Sequence, residues 1–84
     1  MKTVFLLMAE YDSPTIPLED IREKYFKLSK EQAERKAKRH ELPVPAFRTG
    51  GQRSPWFVHI EELAKFIDDL NAKQREAWKK INAA

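Results

Sequence analysis

Hydrophobic residues occupy nearly every position of the first segment, residues 3–11. Because this apolar run is almost continuous, its periodicity leaves both a helix and a buried strand open. Its Leu, Met, Ala and Glu residues favour a short helix, which the Asp12-Ser13-Pro14 sequence then ends. The side of that helix expected to face a core carries Val4, Leu7, Met8 and Tyr11.

A second helix is predicted to begin at Pro17, because proline suits the first helical position, where its missing N–H would have no partner. Glu19 and Asp20 follow in the first turn, where carboxylates interact favourably with the helix dipole. The apolar positions that follow are typical of a short helix facing the core, and we expect it to run to about Lys27. These positions are Leu18, Ile21, Tyr25 and Phe26.

A third helix is predicted by the clearest local signal in the chain. Ser29 is a favourable N-cap, and Gln32, three residues later, completes a capping box. Leu28 and Ala33 occupy the two positions of a hydrophobic staple. The break from the preceding helix is then only about three residues, as in a helix-turn-helix. We expect this third helix to continue to about His40 or one residue beyond.

The third helix has only small apolar residues on its inner side, Ala33 and Ala37. Its polar outer face covers about 100° of arc, and the centre of that face lies about 120° or more from the midpoint between the alanines. Such a helix suits insertion into the major groove of DNA, where arginine pairs with guanine and glutamine with adenine. The alternative is an ordinary solvated helix. The candidate base-reading residues are Gln32, Arg35, Lys36 and Arg39.

Residues 44–48 and 55–59 are short runs rich in β-branched and aromatic side chains, and they flank a loop that contains both glycines of the chain. This pattern predicts a β-hairpin, and the prolines at 43, 45 and 55 favour a small edge ribbon. A basic hairpin directly after a helix-turn-helix is typical of the wing of a winged helix, whose tip contacts phosphate backbone or minor groove. Taken alone, such a hairpin is usually only a turn. The candidate backbone-contacting residues are Arg48, Thr49, Gln52 and Arg53.

The last predicted element is a long helix from Glu61 to about Asn82. In its first half, apolar residues recur at helical spacing, and this half is expected to close the core. In its second half, Trp78 and Ile81 continue the stripe without an obvious partner in so small a chain, which indicates a partner surface, most simply a second copy. The alternative is that this half folds back on the segment from Val4 to Met8.

Positive charge is concentrated in the middle third of the chain. The 84 residues carry a net charge of +3. Residues 1–29 carry four basic and five acidic side chains, and residues 60–84 carry five of each. Residues 30–59 carry seven basic and three acidic side chains, so the excess of +4 lies on the third helix and the hairpin. A charge excess confined to these elements is expected where one face meets a polyanion.

The composition excludes several classes of protein. No cysteine is present, which rules out disulfides, thiol nucleophiles and Cys-ligated zinc. His40 and His59 belong to no metal-binding pattern, and no nucleophile, base and acid combine into a catalytic set, so we expect neither an enzyme nor a cofactor. The apolar start is too short for a membrane span of about 18 residues and is unlike a signal peptide. We therefore expect a cytoplasmic protein.

The order of elements resembles that of small winged-helix proteins of phage and prophage. These include excisionases and AlpA-type activators, distant relatives of the MerR winged helix. In them, a stretch like Leu42-Pro43-Val44-Pro45 links the recognition helix to the wing. A stretch like residues 56–63 leads into the closing helix.

The pyocin activator family is more similar still. Its members resemble this chain at residues 5–11, at residues 16–20 with Tyr25-Phe26, and from Pro43 to Leu63, so that the likeness covers about residues 3–70. The resemblance implies a transcription activator that binds repeated boxes upstream of bacteriocin or prophage genes, often within a DNA-damage response. It supplies no catalytic motif and no assignment of base-reading residues.

The expected fold is therefore α+β and mainly helical, a single winged helix-turn-helix domain over residues 1–84 in which residues 71–84 form a helical extension. The expected function is sequence-specific activation of transcription by a homodimer on double-stranded promoter DNA, with RNA polymerase as a candidate second partner. One alternative is an excisionase-like protein that bends DNA. Another is a small adaptor that binds a protein through the C-terminal helix.

Overall fold

A computed structural model describes residues 2–51 and 53–82, and helices account for most of them. The chain folds into a small, mainly helical α+β structure with a three-stranded sheet and a long C-terminal helix. In chain order the elements are α1 (Thr3–Tyr11), β1 (Thr15–Pro17), α2 (Leu18–Ile21), α3 (Lys30–Lys38), β2 (Phe47–Arg48), β3 (Trp56–His59) and α4 (Ile60–Asn82).

The sheet is antiparallel, with strand order β1-β3-β2. The predicted hairpin is confirmed as β2 and β3, in which Phe47 pairs with Phe57. Strand β1 was not predicted, and it makes the sheet three-stranded rather than two-stranded. In β1, Ile16 pairs with Val58 and both side chains are fully buried. Pro17 ends β1 at an edge of the sheet, a position that tolerates the missing N–H.

The first segment is a helix, as its composition favours. Helix α1 directs Leu7 into the core, while Met8 is 44% exposed, contrary to expectation. Asp12 ends the helix in the left-handed region, with φ 52°, and its backbone N–H donates to the Met8 carbonyl oxygen. The helix packs against the first half of α4, where the Thr3 hydroxyl donates to an Asp68 carboxylate oxygen at 2.6 Å. Residues 71–82 are all exposed, so the alternative in which the second half of the last helix folds back on residues 4–8 is wrong.

Helix α2 ends at Ile21, so the prediction of a helix to about Lys27 is wrong, as is the three-residue break before α3. A turn occupies the following residues, and Lys27 has a φ of 56°. The Arg22 guanidinium stabilises this turn by donating to the Glu19 carboxylate at 2.8 and 3.0 Å and to the Leu28 carbonyl oxygen at 3.1 Å. A turn stabilised by the Arg22 side chain thus stands where a continuous helix was predicted.

The predicted apolar stripe nevertheless reaches the core from this turn. Tyr25 and Phe26 are half-buried, and the Phe26 ring meets the Phe66 ring edge-to-face at 5.2 Å between centroids. The fully buried side chains come from β1, α2, β3 and α4, so the sheet and the start of α4 form the centre of the core. They are Ile16, Ile21, Val58, Ile60 and Leu63.

Helix α3 begins with the predicted capping box. The Ser29 hydroxyl accepts from the Gln32 backbone N–H at 3.2 Å, and the Gln32 side-chain oxygen accepts from the Ser29 N–H at 3.1 Å. At its other end, the His40 N–H donates to the Ala37 carbonyl oxygen and the Glu41 N–H to that of Lys36. These two bonds form a Schellman motif, with His40 in the left-handed region at φ 56°.

Removal of the N-cap is expected to destabilise the fold. Ser29→Ala leaves the Gln32 N–H without its acceptor and should lower the free energy of unfolding by about 1 kcal/mol. Urea denaturation followed by circular dichroism measures this change as a lower midpoint at unchanged slope. Glu23→Ala, at an exposed position of the turn after α2, is the matched control and should leave the midpoint within error. An unchanged midpoint for Ser29→Ala would contradict the cap.

The opposite effect is expected at the end of α3. His40→Gly places the residue without a Cβ in a left-handed conformation, and the free energy of unfolding should rise by about 0.5–1 kcal/mol. The same denaturation experiment measures the rise. His40→Ala keeps a Cβ at this φ and serves as the control, because it should show no comparable gain.

Candidate functional site

The predicted base-reading residues lie together on the outer side of α3. Arg35 and Arg39 are exposed, and Lys36 is half-buried. The opposite side of the helix buries Ala33 and Ala37, which are 1% and 2% exposed. Two alanine methyl groups allow α3 to lie close to the core, and they leave the long basic side chains directed outward. The exposure of Arg35 and Arg39 agrees with the helical wheel, whereas Lys36, three residues after Ala33, lies nearer the buried side of the helix.

Gln32 has a second role that limits its use as a base-reading residue. Its side-chain oxygen accepts the Ser29 N–H of the capping box. A bidentate contact with adenine uses both the oxygen and the nitrogen of a glutamine amide. The capping box thus orients the Gln32 side chain toward Ser29, whereas Arg35 and Arg39 take no part in the cap.

The predicted wing residues lie on and after strand β2. The guanidinium carbon of Arg48 is 4.4 Å from the centroid of the Trp56 ring, a cation–π contact across the strand pair. Thr49 and Arg53 are exposed near the hairpin tip, and Gln52 lies outside the described residues. The Ser54 hydroxyl closes the tip by donating to the Gly51 carbonyl oxygen at 2.6 Å.

A cleft of about 620 Å³ separates the hairpin from α3, and α2 forms its third wall. Its α3 wall includes Lys30 and Lys38, which the sequence analysis did not select. A helical wheel gives only the angle of each α3 residue from the buried alanines. It does not show on which side of the helix the hairpin lies. The charged residues lining the cleft are Glu19, Arg22, Lys30, Glu34, Lys38, Arg48 and Arg53.

The cleft is strongly positive for its size. Five basic and two acidic side chains line it, a balance of +3 that equals the net charge of the whole chain. Hydrogen bonds between Arg22 and Glu19 lower the pKa of the Glu19 carboxyl and raise that of Arg22, so both stay ionised and neutralise each other. The lysines and arginines of α3 and the hairpin therefore supply the excess of positive over negative charge in the cleft. An anion held between the two elements is the ligand that this charge favours.

The predicted partner residues lie at the other end of the molecule. Trp78 is 64% exposed and Ile81 is 83% exposed, both on the last turns of α4. Asn71, Gln74 and Ala77 line a shallow groove with them. This surface is separate from the basic cleft, since the two share no lining residue.

His59, the histidine of strand β3, has a local structural role. Its Nδ1 accepts a hydrogen bond from the Glu61 backbone N–H at 3.2 Å, at the start of α4.

In residues 2–51 and 53–82, no cluster of three His, Asp or Glu side chains is arranged to hold a metal ion. Within the same residues, none of the helices is long and apolar enough to cross a membrane.

Comparison with known proteins gives one match. The family model described as "Pyocin activator protein PrtN" matches residues 3–77. These residues include all of the elements from α1 to β3 and most of α4. No curated protein and no solved structure matches the chain significantly. The family is one of regulatory activators and is not known as a family of enzymes. Because the match spans most of its length, this chain belongs to the pyocin activator family.

Proposed function

We propose that this protein is a dimeric DNA-binding regulator of pyocin genes, built as a single winged helix-turn-helix domain in which the end of α4, from residue 71, is a helical extension; residues 83 and 84 of the predicted extension lie outside the described residues. Helix α3 would enter the major groove, and the β2–β3 hairpin would act as the wing on the adjacent backbone. The family match supports the role in regulation rather than in excision. The basic cleft between α3 and the hairpin is the observation that supports binding to DNA.

In this proposal the two walls of the cleft hold one sugar-phosphate strand between them. Lys30 and Lys38 would contact phosphates from α3, and Arg48 and Arg53 would contact them from the hairpin. The stacking of Arg48 on Trp56 restricts the arginine before DNA arrives, which lowers the entropy lost on binding. Phosphate contacts of this kind set the orientation of the protein on the duplex and carry no sequence information.

Sequence would be read from the outer face of α3. Arg35 and Arg39 are exposed and project away from the core, so either guanidinium is able to pair bidentately with guanine. Lys36, on the same helix, would make a secondary contact, and Thr49 would contact the backbone from the hairpin. Because Gln32 is held in the capping box, we assign it a smaller part in base reading than the arginines.

The base-reading assignment is tested with DNA from upstream of a pyocin gene and with random duplex of the same length. Arg35→Ala and Arg39→Ala should each weaken binding to the upstream DNA by about 1–3 kcal/mol, or roughly 5- to 150-fold, and should reduce its preference over random duplex. Fluorescence anisotropy at fixed salt measures both quantities. Lys65→Ala removes a positive charge from α4 instead and is the control. If neither arginine variant changed affinity, α3 would not be the reading helix.

The phosphate contacts are tested by the salt dependence of the same titration. Lys38→Ala and Arg53→Ala should weaken binding to both duplexes alike, and each should reduce the magnitude of the slope of log K against log salt by about 0.9 per protomer, or about 1.8 for the dimer. Four contacts in the cleft of each protomer correspond to a slope of about −3.6 per protomer. An adaptor protein that acts through the C-terminal helix would show no salt-dependent DNA binding, and that result would overturn the proposal.

A further inference from the structure

The exposed hydrophobic side chains are concentrated on two helices. Among the described residues, seven large hydrophobic side chains are exposed, and all except Phe47 lie on α1 or in the second half of α4. We call residues 60–69 the proximal half of α4 and residues 70–82 the distal half. The exposed side chains are Phe5, Leu6 and Met8 on α1, and Leu70, Trp78 and Ile81 on the distal half.

The distal half continues the same face of α4 that the core buries. Leu63, Leu70 and Ile81 lie within about 20° of one another on a helical wheel. Leu63 is fully buried, whereas Leu70 is 46% exposed and every later described residue is exposed. The distal half extends about 20 Å along the helix axis, and the radius of gyration of 14.8 Å exceeds the roughly 12 Å of a compact domain of this size. An isolated helix of this length is only marginally stable in water.

Helix α1 is the other incompletely covered element. Its single charged residue is Glu10, and a helix that is apolar all round is normally buried all round. Leu7 faces the core, but Phe5 is 56% exposed and Leu6 is 55% exposed. One side of α1 is thus covered by α4, and the remaining sides present apolar surface.

The two halves of α4 carry opposite charges. The proximal half has four acidic residues and one basic residue, a balance of −3. The distal half has four basic residues and one acidic residue, a balance of +3. Because α1 lies against the proximal half, its exposed apolar side chains adjoin the acidic part of the molecule. An apolar, acidic surface and an apolar, basic surface therefore occur on the same chain.

We propose that two copies of this chain form a two-fold dimer in which the distal half of α4 of each copy lies on α1 and the proximal half of α4 of the other. A two-fold axis repeats this contact, so that both apolar surfaces of both copies are covered. Side-by-side pairing of two distal halves is disfavoured, because it opposes +3 to +3. This inference rests on the dimer of the proposed function and adds the surface that receives Trp78 and Ile81.

Charge reversal and sedimentation equilibrium test this arrangement. The basic side is reversed by Lys73→Glu with Lys80→Glu, and the acidic side by Glu62→Lys with Asp69→Lys. Each double variant should weaken the dimer roughly tenfold or more, because it places like charges against each other in both copies of the contact. An equimolar mixture of the two should dimerise like the original protein, since opposite charges then face each other twice. Circular dichroism verifies that each variant is folded.

A substitution on α1 tests the apolar part of the contact. Leu6→Lys replaces an exposed apolar side chain with a charge of the same sign as the basic distal half, and it should weaken the dimer at least as much as either charge reversal, with little effect on the folded monomer. Glu23→Lys with Glu41→Lys, two exposed carboxylates outside α1 and α4, is the control and should leave dimerisation unchanged.

The outcomes distinguish this inference from the proposed function. A dimer that is insensitive to Leu6→Lys and to the acidic-side reversal would overturn the arrangement and leave a dimer formed by other surfaces. A monomer at all concentrations tested would overturn both the arrangement and the proposed dimer. Loss of DNA binding in a cleft variant that still dimerises would support the role of the cleft in DNA binding and would leave the dimer arrangement intact.

Discussion

The weak hydrophobic anchoring of α3 is the constraint on which the rest of the structure depends. Seven of its nine residues are polar or charged, and only Ala33 and Ala37 are buried. Two methyl groups supply little burial energy, so the helix depends on its end contacts and on neighbouring elements for its position. The capping box at one end and the Schellman motif at the other satisfy backbone groups that a short helix otherwise leaves without partners. Because so little of α3 is buried, nearly its whole surface is available for charged side chains.

Strand β3 positions the hairpin opposite this helix. It pairs with β1 on one side and β2 on the other, and α4 follows it without a connecting loop. Val58 and Ile60 are buried on either side of this junction, which ties the sheet to the long helix. The hairpin tip is therefore attached to the best-packed part of the molecule, and the cleft between the hairpin and α3 follows from that attachment.

The elements that sequence predicted best are those with strong local signals. The capping box at Ser29 and the helical stripe of α4 depend on residues close together in the chain, and both are confirmed. Strand β1 escaped prediction because three residues with one buried side chain, Ile16, are too few to show an alternating pattern. The early end of α2 escaped because it depends on Arg22 bridging two sides of a turn, a contact that propensity does not encode.

The candidate site shows the same division. The outward direction of Arg35 follows from its angle to the two alanines, so a helical wheel is sufficient to find it. The part played by Lys30 and Lys38 depends on where the hairpin lies relative to α3, which is a tertiary relation. Helical periodicity therefore identifies one face of the helix, whereas the cleft on its flank requires the three-dimensional fold.

The positions of the two tryptophans have a practical consequence. Trp56 lies in the cleft with Arg48 over its ring, and Trp78 lies exposed near the end of α4. The chain has no other tryptophan, so each of its two separate surfaces contains one tryptophan, whose emission is distinguished from that of the two tyrosines by its longer wavelength. Replacing either ring with phenylalanine leaves a protein whose ultraviolet emission reports on the environment of a single surface, without an attached dye.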